Sequence, residues 1–285
     1  MLQSEVISKQ VRQALGEDVG NGDLTASLIQ ADQCLHAQVI AREAMVVCGS
    51  PWFDESFRQL SSSVSIDWHI QEGQQADSNQ VLCVLYGNAR ALLTAERTAL
   101  NFLQMLSAVA TRTQQFVAAT KGTNVQIVDT RKTLPGLRLA QKYAVRCGGG
   151  TNHRTGLYDG ILIKENHIIA AGSIAAALQQ ATAIAPPSVF VQIEVETQDE
   201  LAQALSAGAR MVLLDNFDLP GLRDAVRYNR QFPGEPAILE ASGNVTLATI
   251  RAIAETGVDR ISIGSLTKDI QAADLSMRFY DAAPD

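Results

Sequence analysis

Cysteine, proline, aromatic side chains and long apolar runs are all scarce in this 285-residue chain, and each scarcity removes a class of protein. The four cysteines, Cys34, Cys48, Cys83 and Cys147, form no Cys-x-x-Cys pair and have no histidine at ligand spacing. That pattern argues against a zinc site or a disulfide framework and for buried, reduced thiols. No stretch approaches the roughly 18 uninterrupted apolar residues needed to cross a bilayer, so no membrane span is expected. Glu5, Lys9 and Arg12 stand where a secretory signal needs an unbroken apolar segment, which points to a cytoplasmic protein. Basic charge is short too, with 23 Lys and Arg against 30 Asp and Glu and a net charge of -7. Non-specific nucleic-acid binding needs a basic face, so nucleic acid is not an expected partner and any anionic ligand must be gripped locally.

What is present suits a globular enzyme. Hydrophobic residues make up 46% of the chain and charged residues 19%, enough for a sizeable core. The length exceeds that of an ordinary single domain, and the chain divides into residues 1–120 and 121–285. The first part opens with an amphipathic helix over residues 4–15, followed by a region of short strands and then by residues 89–119, which contain neither Gly nor Pro. As one helix that stretch would span roughly 46 Å, although its spacing does not exclude a break.

From residue 124 onward, six β-branched runs end at Asp129, Lys164, Glu196, Asp215, Ser242 and Gly264, and helix-like segments separate most of them. This alternation is the signature of parallel βα units. Such units can build a doubly wound sheet or a barrel. Nearly every run ends in a group able to bind an anion or a metal, and many strand ends converge on one site only at the C-terminal face of a barrel. The fold class expected is therefore α/β, an N-terminal α/β sandwich-like domain joined to an incomplete parallel α/β barrel.

Between Asp129 and Lys164 basic residues outnumber acidic ones seven to two. Arg138, Lys142 and Arg146 follow helical spacing after Pro135 and read as a solvated face. Arg131 and Lys132 directly follow a strand, and Lys164 ends another, so their ligand should be anionic. The planar Arg fork suits carboxylates and the compact Lys charge suits carboxylate or phosphate. His153 and Arg154 follow three consecutive glycines, which let backbone N–H groups approach a ligand. Glu194 and Asp215 close consecutive strands and could offer hard oxygen ligands to Mg2+, with Glu196 an open alternative to Glu194 on the same strand face. Ser242-Gly243-Asn244 and Gly264-Ser265 are small strand-end turns whose amides could hold a phosphate.

In order, the segments EDVGNGDLT (residues 17–25), ERTALNFLQMLSAVATRT (96–113), DTRKTLPGLRLAQKYAVRCGGGTNHR (129–154), ILIKENHI (161–168), LEASGNV (239–245) and GVDRISIGSLTK (257–268) resemble the quinolinate phosphoribosyltransferase family. The resemblance implies phosphoribosyl transfer from phosphoribosyl pyrophosphate to quinolinate with decarboxylation, in NAD biosynthesis. It also implies a homodimer, with a higher oligomer open, whose active sites are shared between subunits. Arg131, His153, Arg154 and Lys164 would then bind quinolinate, joined by Arg97 of the second copy. Lys132 would lie near the pyrophosphate and ribose, and Thr130 would also bind substrate. Glu194 and Asp215 would serve Mg2+ and the ribose hydroxyls, and Ser242–Asn244 with Ile263, Gly264 and Ser265 would hold the 5′-phosphate. Lys132, Lys164, Glu194 and Asp215 are thus the candidate catalytic set. Two alternatives share these residues: the same fold with another acceptor, and a barrel lyase that uses Lys164 as a Schiff base.

Overall fold

The computed structural model describes residues 4–280 and divides into two compact units. Of the described residues, the first unit takes those up to 112, 134–149 and those from 269 onward, and the second takes 113–133 and 150–268. The chain thus crosses between units four times, where the sequence suggests a boundary at residue 120 and a C-terminal tail that can rejoin the first part.

In the first unit, helices α1 (Ser4–Val19) and α2 (Ser50–Leu60) accompany strands β1 (Cys34–Ala41), β2 (Met45–Val46), β3 (Ser65–Trp68), β4 (Gln75–Ala76) and β5 (Val81–Asn88). The C-terminal strand, Leu275–Tyr280, pairs antiparallel with β1 and completes a four-stranded sheet in which β5 and β3 follow β1. Period-two patterning explains the sheet: Ala37, Val39 and Ala41 of β1 are buried while their neighbours are more exposed. Phe53 and Phe57 from α2 and Leu82 and Leu85 from β5 close the core beneath it. Helix α3 (Ala89–Ala119) is continuous over the whole stretch that lacks Gly and Pro. Helix α4 (Arg138–Cys147) belongs to the first unit, where the Tyr143 ring lies 5.5 Å from that of Trp52.

Lys142 is only 2% exposed, so it is not part of a solvated face, whereas Arg146 is exposed. It shares the inward stripe of α4 with Ala140, Gln141, Ala144 and Val145, and the protein must satisfy its charge. Nor are all four cysteines buried: Cys48 and Cys83 are, Cys34 is exposed and Cys147 is intermediate. Cys34 opens an exposed strand end, where the sheet no longer covers it.

The second unit is built on six parallel strands, β6 (Gln126–Val128), β7 (Gly160–Ile163), β8 (Phe190–Val195), β9 (Met211–Asp215), β10 (Ile238–Ser242) and β11 (Arg260–Ser262). They are ordered β6-β11-β10-β9-β8-β7, an incomplete α/β barrel, and correspond to the six runs read from sequence. Helices α5 (Glu165–Ala171), α6 (Ile174–Ile184), α7 (Gln198–Ser206), α8 (Leu219–Gln231), α9 (Ile250–Ala254) and α10 (Ser265–Lys268) fill the connections. Their boundaries follow local signals. Ser173, Thr197 and Asp218 each cap a helix by accepting a backbone N–H, and Glu200 completes a capping box with Thr197. Among the described residues no single helix is long and apolar enough to cross a membrane.

Candidate active site

Parallel strands of this kind deliver their C-terminal residues to one end of the sheet. Ser242 at the end of β10 stands in register with Asp215 at the end of β9, and Glu194 pairs with Leu213 on the neighbouring strand. Lys164 follows β7, and its Nζ lies 2.7 Å from Glu194 Oε2. Alternation along β8 turns Gln192 and Glu194 to one face, and the strand ends before Glu196, which is exposed. That choice between Glu194 and Glu196 could not be made from the sequence.

Electrostatics place four candidates together. Burial pushes the Asp215 carboxyl above its usual range, the charge of Glu194 adds to the effect, and Lys164 and Lys132 offset part of it. Arg154 is 8% exposed, and one guanidinium nitrogen donates to the Gly160 carbonyl at 3.0 Å. Burial and the nearby Arg131 charge both lower its pKa, while Asp159 opposes them. Burial alone would raise Asp159, but backbone N–H groups of Gly156 and Thr155 outweigh it and hold the carboxyl below its ordinary value. The two guanidinium charges disfavour each other, and both groups are of the type that grips carboxylates.

The strand-end turns interlock. Asn216 (φ 55°) donates its backbone N–H to the Ser242 carbonyl and its side-chain amide to Asp215 Oδ2. Gly243 (φ 110°) follows, and a Cβ there would lie 2.2 Å from Asn216 Oδ1, so no larger residue fits. Asn244 is also left-handed, with φ 46°. A Cβ on Gly264 would stand 3.0 Å from Lys132 Cδ, which brings the turn after β11 against the turn after β6. Thr130 Oγ1 accepts the Lys132 N–H, and Thr267 Oγ1 donates to the Lys132 carbonyl. Ile263 is buried, which leaves its backbone as its polar contribution, and Ser265 Oγ is buried without a hydrogen-bond partner.

Beneath the strand ends lies a polar network that the sequence did not reveal. His153 is 9% exposed; its Nδ1 accepts the Arg154 N–H at 2.8 Å, which leaves the ring proton on Nε2 to be donated to Gln192 Oε1, also 2.8 Å away. Gln192 passes the interaction to Glu240 Oε2 at 3.2 Å, and Arg260 lies 3.8 Å from the same oxygen. Asp129, fully buried, accepts the His153 N–H and the Asn152 side-chain amide. His167 accepts the Lys164 backbone N–H through Nδ1 and so steadies the turn that carries Lys164. The signal for these residues was a polar side chain within an apolar run, as in VQIE and LEAS. Arg97 is not gathered with the rest: it is exposed on α3 in the first unit, whereas the other candidates belong to the second.

Models of the quinolinate phosphoribosyl transferase N-terminal domain and C-terminal domain match residues 23–107 and 109–278. The chain belongs to the quinolinate phosphoribosyl transferase family. It is 41% identical over 261 residues to a probable nicotinate-nucleotide pyrophosphorylase (carboxylating) of Bacillus subtilis, covering 92% of this chain and 89% of that one. A mitochondrial quinolinate phosphoribosyltransferase (decarboxylating) of Nicotiana glauca is 36% identical, with 95% and 81% covered. Among solved structures, the nicotinate-nucleotide pyrophosphorylase from Francisella tularensis superposes with a TM-score of 0.94 at 45% identity, over 98% of each chain. Membership of the family accounts for the pairing of an antiparallel N-terminal unit with an incomplete barrel.

Proposed function

We propose that the chain transfers the phosphoribosyl group of phosphoribosyl pyrophosphate to quinolinate, releasing pyrophosphate and CO2 and forming nicotinate mononucleotide for NAD biosynthesis. The observation that carries this reading is the buried Arg154, whose guanidinium feels the Arg131 charge, in a unit whose strand ends also carry Lys164. A dicarboxylate relieves that repulsion, and a monocarboxylate leaves part of it in place.

In this reading the Arg131 and Arg154 forks and Lys164 orient the pyridine ring by its carboxylates. Lys132 lies toward the pyrophosphate and ribose, and the turns at Ser242–Asn244 and Ile263–Ser265 take the 5′-phosphate. The ring nitrogen forms a bond to C1 of the ribose as the C1–O bond to pyrophosphate breaks, and its lone pair needs no general base. The resulting pyridinium accepts the electron pair of the C2–carboxylate bond when CO2 leaves, and C2 is then protonated. Positioning and fixed cations supply the acceleration. Glu194 and Asp215 fit Mg2+ by donor type, since two hard carboxylates crowd one another and Asp215 is pushed up by its neighbour. When bound, the ion would offset charge on the departing pyrophosphate.

The ion pair between Lys164 and Glu194 speaks against the Schiff-base lyase, because a nucleophilic amine needs the lone pair that the ion pair removes. We further assign the active form to a cytoplasmic homodimer in which Arg97 reaches the second copy's site; its exposure on α3 supports this. Purified protein with quinolinate, phosphoribosyl pyrophosphate and Mg2+ should yield nicotinate mononucleotide and CO2, with nicotinate a poor acceptor. Comparable kcat/KM for the two acceptors would overturn the assignment. Inactive Arg97→Ala and Lys164→Ala proteins, refolded together, should recover about one quarter of wild-type activity, and no recovery in confirmed mixed dimers places Arg97 in cis.

A further inference from the structure

Cys48 and Cys147 are distant in sequence but meet in the first unit, where both sulfur atoms and a Glu72 carboxylate oxygen lie within 4.8 Å of one another. Cys48 is fully buried, and its backbone is clasped to α3: its N–H donates to Ser107 Oγ and its carbonyl accepts from the same hydroxyl. Cys147, the last residue of α4, is half-buried, with Tyr143 and Arg146 beside it on the helix. Glu72 has its own employment. One oxygen accepts the Gly49 N–H at 2.6 Å and the other accepts the N–H and hydroxyl of Ser50, so the carboxylate caps the start of α2.

We propose that Cys48 and Cys147 form a reversible intramolecular disulfide, in which Cys147 reacts first and Cys48 resolves it. Accessibility separates the two roles, since an oxidant reaches the half-buried Cys147 while Cys48 waits in the interior. Their ionisation separates them further. Hydrogen bonding to the Cys48 thiol lowers the pKa of Cys147 against the opposing effects of burial and Glu72, and Tyr143 and Arg146 assist. Burial drives Cys48 upward and keeps it a protonated thiol. With a hydroperoxide as oxidant, the Cys147 thiolate attacks the distal oxygen, an S–O bond forms as the O–O bond breaks, and the alcohol leaves after taking a proton. The Cys48 sulfur then attacks the Cys147 sulfenic acid, forming the S–S bond; the S–O bond breaks and the Cys48 proton leaves with the hydroxyl as water. A disulfide needs the sulfurs about 2 Å apart. Cys147 precedes Gly148, Gly149 and Gly150, whose backbone freedom lets the helix end adjust. Oxidation therefore pins the near end of the segment that leads to His153 and Arg154. A Cys2Glu metal site is the competing use of the same atoms, and the commitment of Glu72 to α2 disfavours it.

Reduced full-length protein treated with equimolar hydrogen peroxide should lose two hydrogen atoms by intact mass. Non-reducing digestion should then join the peptides of Cys48 and Cys147, with Cys147 consumed at least about ten-fold faster than the exposed Cys34. Cys48→Ala should instead stop at a Cys147 sulfenic acid, trapped by dimedone. Should that variant not fold, the wild-type digest alone decides. Equal rates at Cys34 and Cys147, or no joined peptide, overturn the proposal. So do Co2+ charge-transfer bands from both thiolates together with Zn2+ protection of the pair, which assign the cluster to a metal.

Discussion

The two units spend their interiors differently. The first buries Phe53, Phe57, Leu82 and Leu85 in one apolar core under an antiparallel sheet. The second buries Asp129, Gln192 and Glu240 completely and sets Arg131 near Arg154 and Asp215 near Glu194. Apolar burial stabilises a fold wherever it occurs, whereas like charges brought together oppose folding and favour a ligand that separates them. The first unit is therefore expected to carry stability and the second to carry chemistry, with stability given up at the strand ends in exchange for affinity.

The largest effect that would break this contrast lies in the first unit. Phe57→Ala removes a fully buried ring that packs 5.0 Å from Phe53, and should cost about 3–5 kcal/mol. Calorimetry should show a fall in melting temperature on the order of 10 °C, with kcat per folded molecule unchanged. A matching loss of kcat would show that the core tunes the site. In the second unit the converse holds for Lys164→Ala, whose side chain is 49% exposed. Steady-state kinetics should show kcat/KM for quinolinate reduced by about 100- to 1000-fold while the melting temperature stays put.

Gln192→Leu tests the ground between these extremes, since it leaves the His153 ring N–H and Glu240 without their shared partner. A stability loss of about 1–3 kcal/mol in urea should accompany a raised KM for quinolinate. A change confined to stability would make the network structural only. The smallest effect concerns Asp215, whose folded pKa is raised by burial and by Glu194. A raised carboxyl contributes stability that is complete below its unfolded pKa and is lost as pH rises through the folded value. Asp215→Asn should thus be slightly more stable than wild type near neutral pH, a gain that disappears as the pH falls below the unfolded carboxylate range. Its activity should be largely lost, and a variant less stable at neutral pH would remove Asp215 from the group of strained charges.

The six parallel strands, the helical character of α3 and the placing of charged residues at strand ends were legible because each rests on a local signal. Those signals are a β-branched run, a stretch without Gly or Pro, and a charged residue at the close of an apolar segment. The family motif between Asp129 and Arg154 was equally plain, because a long match needs no geometry. Other features were set by distance in space. β8 ends between Glu194 and Glu196 and leaves Glu196 exposed, which periodicity cannot tell. Lys142 went inside because its face of α4 is covered. Residues 134–149 joined the first unit rather than the barrel that surrounds them in sequence. The chain by itself determined which chemistry is available, because residue types, helix starts and strand runs are properties of short segments. Tertiary structure alone decided which groups share a field, from Arg131 beside Arg154 to Cys48 beside Cys147, because electrostatic and covalent partnership depends on distances that only packing sets.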